Sequence, residues 1–215
     1  MEQGKKRITL AGAAETELEE KRSRFIGYAA PVQDEKEAQA LIAQRKAMYK
    51  DATHNVWAYY IDGGTHARYS DDGEPQGTAG IPMLNVLKMS GATDLCVVVT
   101  RYFGGTLLGA GGLVRAYSAA AKQALDAAGF ASMEEFSVLK ICCGYSEYQK
   151  INMQLAGLGA MQDGAEFGSE VEITAAIETG RAALVEEMVR EVSAGRGSVT
   201  LLRTEERASQ GAIGE

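Results

Sequence analysis

The chain has 215 residues, 46% of them apolar and 24% charged, and a formal net charge of −7. No apolar run reaches the roughly 18 residues that a membrane helix needs, and no basic-then-apolar N-terminus marks a secretory signal. The length admits one large domain or two small ones, and the overall acidity argues against a non-specific nucleic-acid binder, which carries a basic excess. That acidity is unevenly spread: residues 1–125 hold 15 Lys and Arg against 14 Asp and Glu, whereas residues 126–215 hold 7 against 15. Any RNA contact is therefore expected on the first half, with the second half facing elsewhere. Cys96, Cys142 and Cys143 show no zinc spacing, and the last two are neighbours whose strand side chains would point apart. These features predict a reduced, cytoplasmic protein with packing cysteines, no metal and no cofactor.

In chain order, Lys5 to Glu20 is polar and poorly periodic, with Ile8, Leu10 and Leu18 available for a first strand. The next segment, from Glu20 to Val32, reads as a strand with a basic entry formed by Lys21, Arg22 and Arg24. Such a charge run is a solvated strand end unless it is recruited as a cationic cluster. Asp34 and Glu37 form a capping box for an amphipathic helix that runs to about Lys50. A turn over residues 51–55 leads into the aromatic strand Val56 to Ile61, a hairpin at Asp62-Gly63-Gly64 and a return over His66 to Ser70. His54 then lies at the open end of the hairpin and His66 near its tip, so they share no metal, and His54 reads first as a hydrogen-bonding residue.

Ser70 to Gly80 is a loop rich in turn residues, with three carboxylates at Asp71, Asp72 and Glu74. These could hold magnesium, act as acid and base, pair with Arg101 and Arg115, or cap the helix that follows. Thr78 is expected to cap that helix, over Ile81 to Met89, with Pro82 tolerable in its first turn.

Leu95 to Val99 is a continuous apolar run that predicts a strand buried on both faces. Five of the nine residues that follow at 104–112 are glycines: Gly104, Gly105, Gly109, Gly111 and Gly112. A helix from about Gly111 to Ala128 then places Leu113, Tyr117, Ala120, Ala124 and Ala128 on one face. A glycine-rich turn feeding a helix start offers free amides at the positive end of the helix dipole, a ready anion site. No acid occurs between Asp94 and Asp126, while Arg101, Arg115 and Lys122 do. The stretch fits neither the nucleotide phosphate-loop pattern nor the dinucleotide fingerprint. A plainer alternative is that the glycines allow tight helix-on-sheet packing and the arginines are solvated.

Gly129 to Ser132 reads as a connector. Beyond it come a strand over Phe136 to Cys142, a helix over Ser146 to Leu155, strands over Ala160 to Phe167 and Glu170 to Ile177, a helix over Arg181 to Val192, and a strand over Ser198 to Leu202. That order is β-α-β-β-α-β, the ferredoxin-like split motif. It contains no constellation of chemical groups and reads as a docking or dimerisation module. The expected division is a first domain over residues 1–128, a second over 132–204 and a polar tail over 205–215.

Four separated stretches resemble the IMPACT/YigZ family, in the expected order: residues 21–26, 51–55, 70–80 and 101–118. The resemblance runs from about Lys21 to Leu202. It implies an α+β protein whose first domain shares the left-handed βαβ fold of the second domain of ribosomal protein S-five, domain four of EF-G and the GHMP kinases. It also implies a ferredoxin-like second domain similar to domain five of EF-G. Eukaryotic members resemble regulators of translation that compete for the activator of a starvation-responsive kinase, and they carry an N-terminal RWD domain. These residues show the ferredoxin-like module instead, so that partner is not carried over; for the two-domain bacterial type the implied role is translation-related.

The expected function is therefore that of a cytoplasmic, non-enzymatic, translation-associated protein. It would bind RNA backbone, the ribosome or a ribosome-bound partner through the glycine-rich cationic surface, and a protein partner through the acidic second domain. Two alternatives stand beside it. One is a hydrolase or phosphotransferase using Asp71, Asp72 and Glu74 with Arg101 and Arg115. The other is a protein-interaction adaptor that makes no nucleic-acid contact.

Overall fold

The computed structural model describes residues 7–209, which form two sheets and five helices in a mixed α+β fold. The chain divides into two units, residues 1–133 with 208–215, and residues 134–207.

In the first unit, β2 (Ala14–Glu20), β3 (Ser23–Pro31), β4 (His54–Ile61), β5 (His66–Ser70) and β6 (Leu95–Tyr102) form an antiparallel sheet ordered β2-β3-β6-β4-β5. The helices α1 (Glu35–Met48), α2 (Gly80–Met89) and α3 (Ala110–Ala128) cover both faces. Side chains alternate along a strand. Val97 and Val99 of β6 therefore join a core with Met83, Leu87, Leu113 and Tyr117, while Cys96 and Val98 join another with Ala38 and Ile42 of α1. This two-sided burial is why the β6 sequence is continuously apolar. The forward half of the capping box forms, the Glu37 amide donating to Asp34 Oδ1 at 2.8 Å, while Glu37 Oε2 accepts from the amide of Gln33, one residue before the N-cap, at 2.7 Å.

The polar N-terminal stretch holds two strands where one was expected. The short β1 (Ile8–Leu10) pairs with Phe130–Ser132, and β2 is a separate partner of β3. In β2, small or apolar half-buried residues at Ala14, Thr16 and Leu18 alternate with exposed acids, too faint a period-two pattern to announce a strand. Lys21 and Arg22 form the β2–β3 turn, both at positive φ (47° and 67°).

The second unit is built from β7 (Phe130–Cys143), whose first four residues belong to the first unit, α4 (Tyr145–Gly157), β8 (Met161–Phe167), β9 (Val171–Glu178), α5 (Ala182–Val192) and β10 (Ser198–Ala208), which ends in the first unit at Ala208, with the strands arranged β10-β7-β9-β8. Leu139, Ile141, Val171 and Ile173 pack against Ile151 and Leu155 of α4 and Val185 and Val189 of α5. Two details differ from expectation. Residues 130–132, expected in a connector, are the first residues of β7, and residues 205–208, expected in a tail, continue β10. Residues 210–215 of that tail lie outside the described residues. All three cysteines are free thiols, and burial pushes the Cys96 thiol well above its ordinary range. Among the described residues, no helix is long and apolar enough to cross a membrane.

Candidate functional site

Each carboxylate of the 70–80 loop has its own task. Asp71 caps α2: its Oδ1 accepts from the amides of Ala79 (3.1 Å) and Gly80 (2.7 Å), and its Oδ2 from Gly77 (2.9 Å). Thr78, the expected cap, instead donates to the Pro75 carbonyl at 2.6 Å, and the N-cap residue is Ala79. Asp72 ties the loop to β4 and α1, accepting from the Asn55 amide and from Lys46 Nζ, both at 2.6 Å. Burial pushes the Asp72 carboxyl up, but the Lys46 ammonium and the Asn55 amide outweigh burial and hold it below the ordinary aspartate range. A carboxyl lowered in the folded state stabilises fully above its unfolded pKa, and the contribution is lost as pH falls through the folded one. Stability should therefore decline as the solution is acidified below about pH 4. In Asp72→Asn that acid limb should be shallower; an equally steep limb would show that other groups carry it.

Glu74 is buried and faces inward. Its Oε1 accepts from Arg101 Nη1 at 2.6 Å and from the Tyr117 hydroxyl at 2.7 Å, and its Oε2 lies 3.8 Å from His54 Nε2. Burial and the Glu74 charge push the Tyr117 phenol far up, so it acts as a donor. Arg101 also donates to Ser23 Oγ at 3.2 Å, and its guanidinium lies between the rings of Phe25 and Phe103, 5.4 and 5.6 Å from their centroids. Its Nε has no partner among the described residues. The expectation that Arg101 stands open to an anion is thus corrected: the cation is buried and held by Glu74. His54 Nδ1 lies 2.8 Å from the Asp72 carbonyl. His54, Glu74 and Arg101 line one side of a cleft of about 390 Å³ whose other walls are Thr53, Gly73, Pro75, Phe103, Leu107, Leu108, Gly109, Ala110 and Leu113.

The start of α3 closes this cleft. Gly109 is its N-cap at φ 74°, a conformation that favours glycine, and no side chain among the described residues caps the helix. The first intrahelical bond runs from Leu113 N to Gly109 O, so the amides of Ala110, Gly111 and Gly112 precede the ladder. Arg115 is exposed, forms no ion pair among the described residues, and lies beside this first turn, its Nη1 3.7 Å from where a Cβ on Gly111 would be. Gly104 has a packing reason: a methyl there would overlap the Arg22 carbonyl, so the Lys21–Arg22 turn lies against the glycine loop. Both turn residues are exposed.

Other predicted residues fall away from this place. Lys122 lies about three turns along α3 and pairs with Asp126, and Arg24 pairs with Glu17. His66 faces Glu35 at 3.2 Å, apart from His54. Of the three loop carboxylates that the hydrolase alternative combined with Arg101 and Arg115, Glu74 meets Arg101, whereas Asp71 and Asp72 are held by loop amides, Asn55 and Lys46. The sequence reading missed Tyr117 as a partner of Glu74, and Phe103 and Leu107 as cleft walls; Phe103 and Leu107 are exposed apolar residues in a glycine loop, a signal that was there to be read. In the second unit, ligand atoms of Cys142, Glu170 and Glu172 lie within 4.8 Å of one another, but Glu172 already pairs with Lys140 at 2.5 Å.

The Impact N-terminal domain family matches residues 21–125, the span that holds the cleft, the glycine loop and most of α3. The IMPACT family member YvyE of Bacillus subtilis is 36% identical over 193 residues, 89% of each chain. The IMPACT family member YigZ of Escherichia coli is 33% identical over 201 residues, 92% of this chain and 98% of that one. A solved structure described as the crystal structure of an hypothetical protein superposes with a TM-score of 0.58 at 29% identity, over 92% of this chain and 97% of that one. On this likeness, extending through both units, the chain belongs to the IMPACT family.

Proposed function

We propose that this is a cytoplasmic, translation-associated regulatory protein whose first unit binds the phosphate backbone of RNA, free or within the ribosome. The observation that carries the reading is the start of α3, where no side chain among the described residues caps the helix, with Arg115, unpaired among those residues, beside it. A cation in the first turn is disfavoured by the helix dipole, and a phosphate held there would reverse that penalty. The Lys21–Arg22 turn adds support: two cationic residues are held at positive φ, against the preference of such side chains, next to the same loop. In the second unit, the strand order β10-β7-β9-β8 supports the ferredoxin-like reading, and the first unit's sheet with α3 packed on it supports the reading as a ribosomal-protein-like domain. The acidity of residues 126–215 suits a protein partner better than RNA.

The test is RNA or ribosome binding across a salt series. Phosphate contacts release counterions, so affinity should fall steeply with salt. Arg115→Ala should weaken binding by about 1.5–3 kcal/mol, as for a charged hydrogen bond, and flatten the salt slope by about one unit. Binding that ignores both salt and Arg115 would refute the reading.

A further inference from the structure

The strand order β10-β7-β9-β8 has two ends of different character. At one, β8 carries a bulge between Gln162 and Gly164, and Asp163 there accepts two hydrogen bonds from Arg207. Bulges and charges are devices that blunt an edge against further pairing. At the other, β10 pairs with β7 alone among the described residues. Its stretch Ser198-Val199-Thr200-Leu201-Leu202 has no charge, proline or glycine. Such an edge offers a row of amides and carbonyls to any strand laid beside it.

Two observations say what covers this edge. Leu201 and Leu202 are consecutive, so they point to opposite faces of the sheet, and they are 57% and 48% exposed. A helix or a flat surface could cover one of them; a strand added in the plane of the sheet flanks both. Beside the strand, a groove of about 520 Å³ opens between Gly197 and Val199 of β10 and Glu186, Glu187 and Arg190 of α5. An open edge strand with side-chain pockets along it is the arrangement in which extended segments add to a sheet.

The charges choose the segment. Glu187 pairs with Arg190 at 3.8 Å, while Glu186 is exposed and has no ion pair among the described residues. The fitting strand therefore carries apolar and β-branched residues with a cation on its groove side. The sequence of β10 itself has that form. Val199 packs toward the helices, so Leu201 and Arg203 share its face by alternation. Arg203 is exposed and donates from Nε to Glu205, which leaves its Nη groups free among the described residues. An antiparallel pair of β10 strands centred on Leu201 sets the two Leu201 side chains face to face and Thr200 opposite Leu202. Arg203 of one copy then lies opposite Val199 of the other, beside that copy's Glu186. Over residues 198–204 no like charges stand opposite each other, and the two-fold axis fills both grooves alike.

We infer that the β10 edge is a self-association surface, at which two copies of this chain join their second units into one sheet in this register. The surface is independent of the RNA site proposed above.

The experiment is sedimentation equilibrium of the full chain from nanomolar to high micromolar concentration, with a melting temperature for every variant. The parent should show a reversible monomer–dimer equilibrium. Leu201→Lys sets two ammonium groups against each other at the centre, and should give a monomer with an unchanged melting temperature. Glu186→Arg and Arg203→Glu each bring like charges together at both grooves, and each should raise the dimer dissociation constant by about tenfold or more. The two changes in one chain should restore the dimer, which a folding defect could not do. A chain that is monomeric throughout would overturn the inference, as would a dimer that persists in Leu201→Lys or ignores the charge reversals. A monomer that instead binds a labelled peptide of alternating valine and threonine would give the edge to a foreign strand, and would equally overturn self-pairing.

Discussion

Arg101→Ala should destabilise the first unit by about 3–5 kcal/mol, the cost of breaking a buried ion pair by removing one partner. The side chains of Arg101 and Glu74 are only 6% and 3% exposed. Losing the guanidinium leaves the Glu74 carboxylate buried with the Tyr117 hydroxyl as its one remaining close donor, and opens a void between Phe25 and Phe103. Urea denaturation should show a lower midpoint at an unchanged slope. The paired change Arg101→Met with Glu74→Leu should recover much of the loss, because it removes both desolvation penalties together. Arg115→Ala, at an exposed position, should stay within about 0.5 kcal/mol of the parent. A loss below 1 kcal/mol for Arg101→Ala would show that the pair does not hold the fold, and would return Arg101 to the candidate anion ligands.

Gly104→Ala should cost about 3 kcal/mol, the upper end for forcing an extra methyl into a packed place. The atoms in its way are the carbonyl of Arg22 and the amide of Ser23. These are backbone atoms that cannot swing aside as a side chain would, so either the Lys21–Arg22 turn or the glycine loop has to move. RNA affinity should fall with stability, since the turn cations would move away from the glycine loop. Gly111→Ala is the matched control: nothing lies closer to its added methyl than Arg115 Nη1 at 3.7 Å, and alanine suits a helix better than glycine. Its melting temperature should stay level or rise. Equal stability of the two variants would mean that the close approach at Gly104 carries no energy.

The glycine loop shows how far residue types alone can lead. Five glycines before an amphipathic helix announce a helix start with free amides, and α3 begins there with no side-chain cap. Composition could not separate the purposes of those glycines: Gly104 admits a neighbouring backbone, Gly109 supplies a positive φ, and Gly111 lies open beside Arg115. The arginines were equally ambiguous. Arg101 is on a strand buried on both faces and Arg115 on the exposed side of a helix, yet in the sequence both are cations flanking one loop.

Periodicity and turn chemistry by themselves determined β3 to β6, the capped α1, the hairpin at Asp62 and the long face of α3, because each rests on interactions within a few residues or on one uninterrupted burial pattern. The same local signals yielded the β-α-β-β-α-β order of the second unit. They missed β2, whose inward residues are half-buried and small, and the extension of β10 to Ala208, whose strand residues are mostly exposed and polar. What only the tertiary structure decided is which charge meets which. The pairing of Glu74 with Arg101 spans 27 residues, that of Tyr117 with Glu74 spans 43, and the bond from Arg101 to Ser23 spans 78. Such contacts are set by sheet order and by where α3 crosses the sheet. At Gly27, for instance, a Cβ would come within 2.7 Å of the Ala120 carbonyl. Charge spacing along the chain carries no information about a register that forms only when β3, β6 and α3 come together.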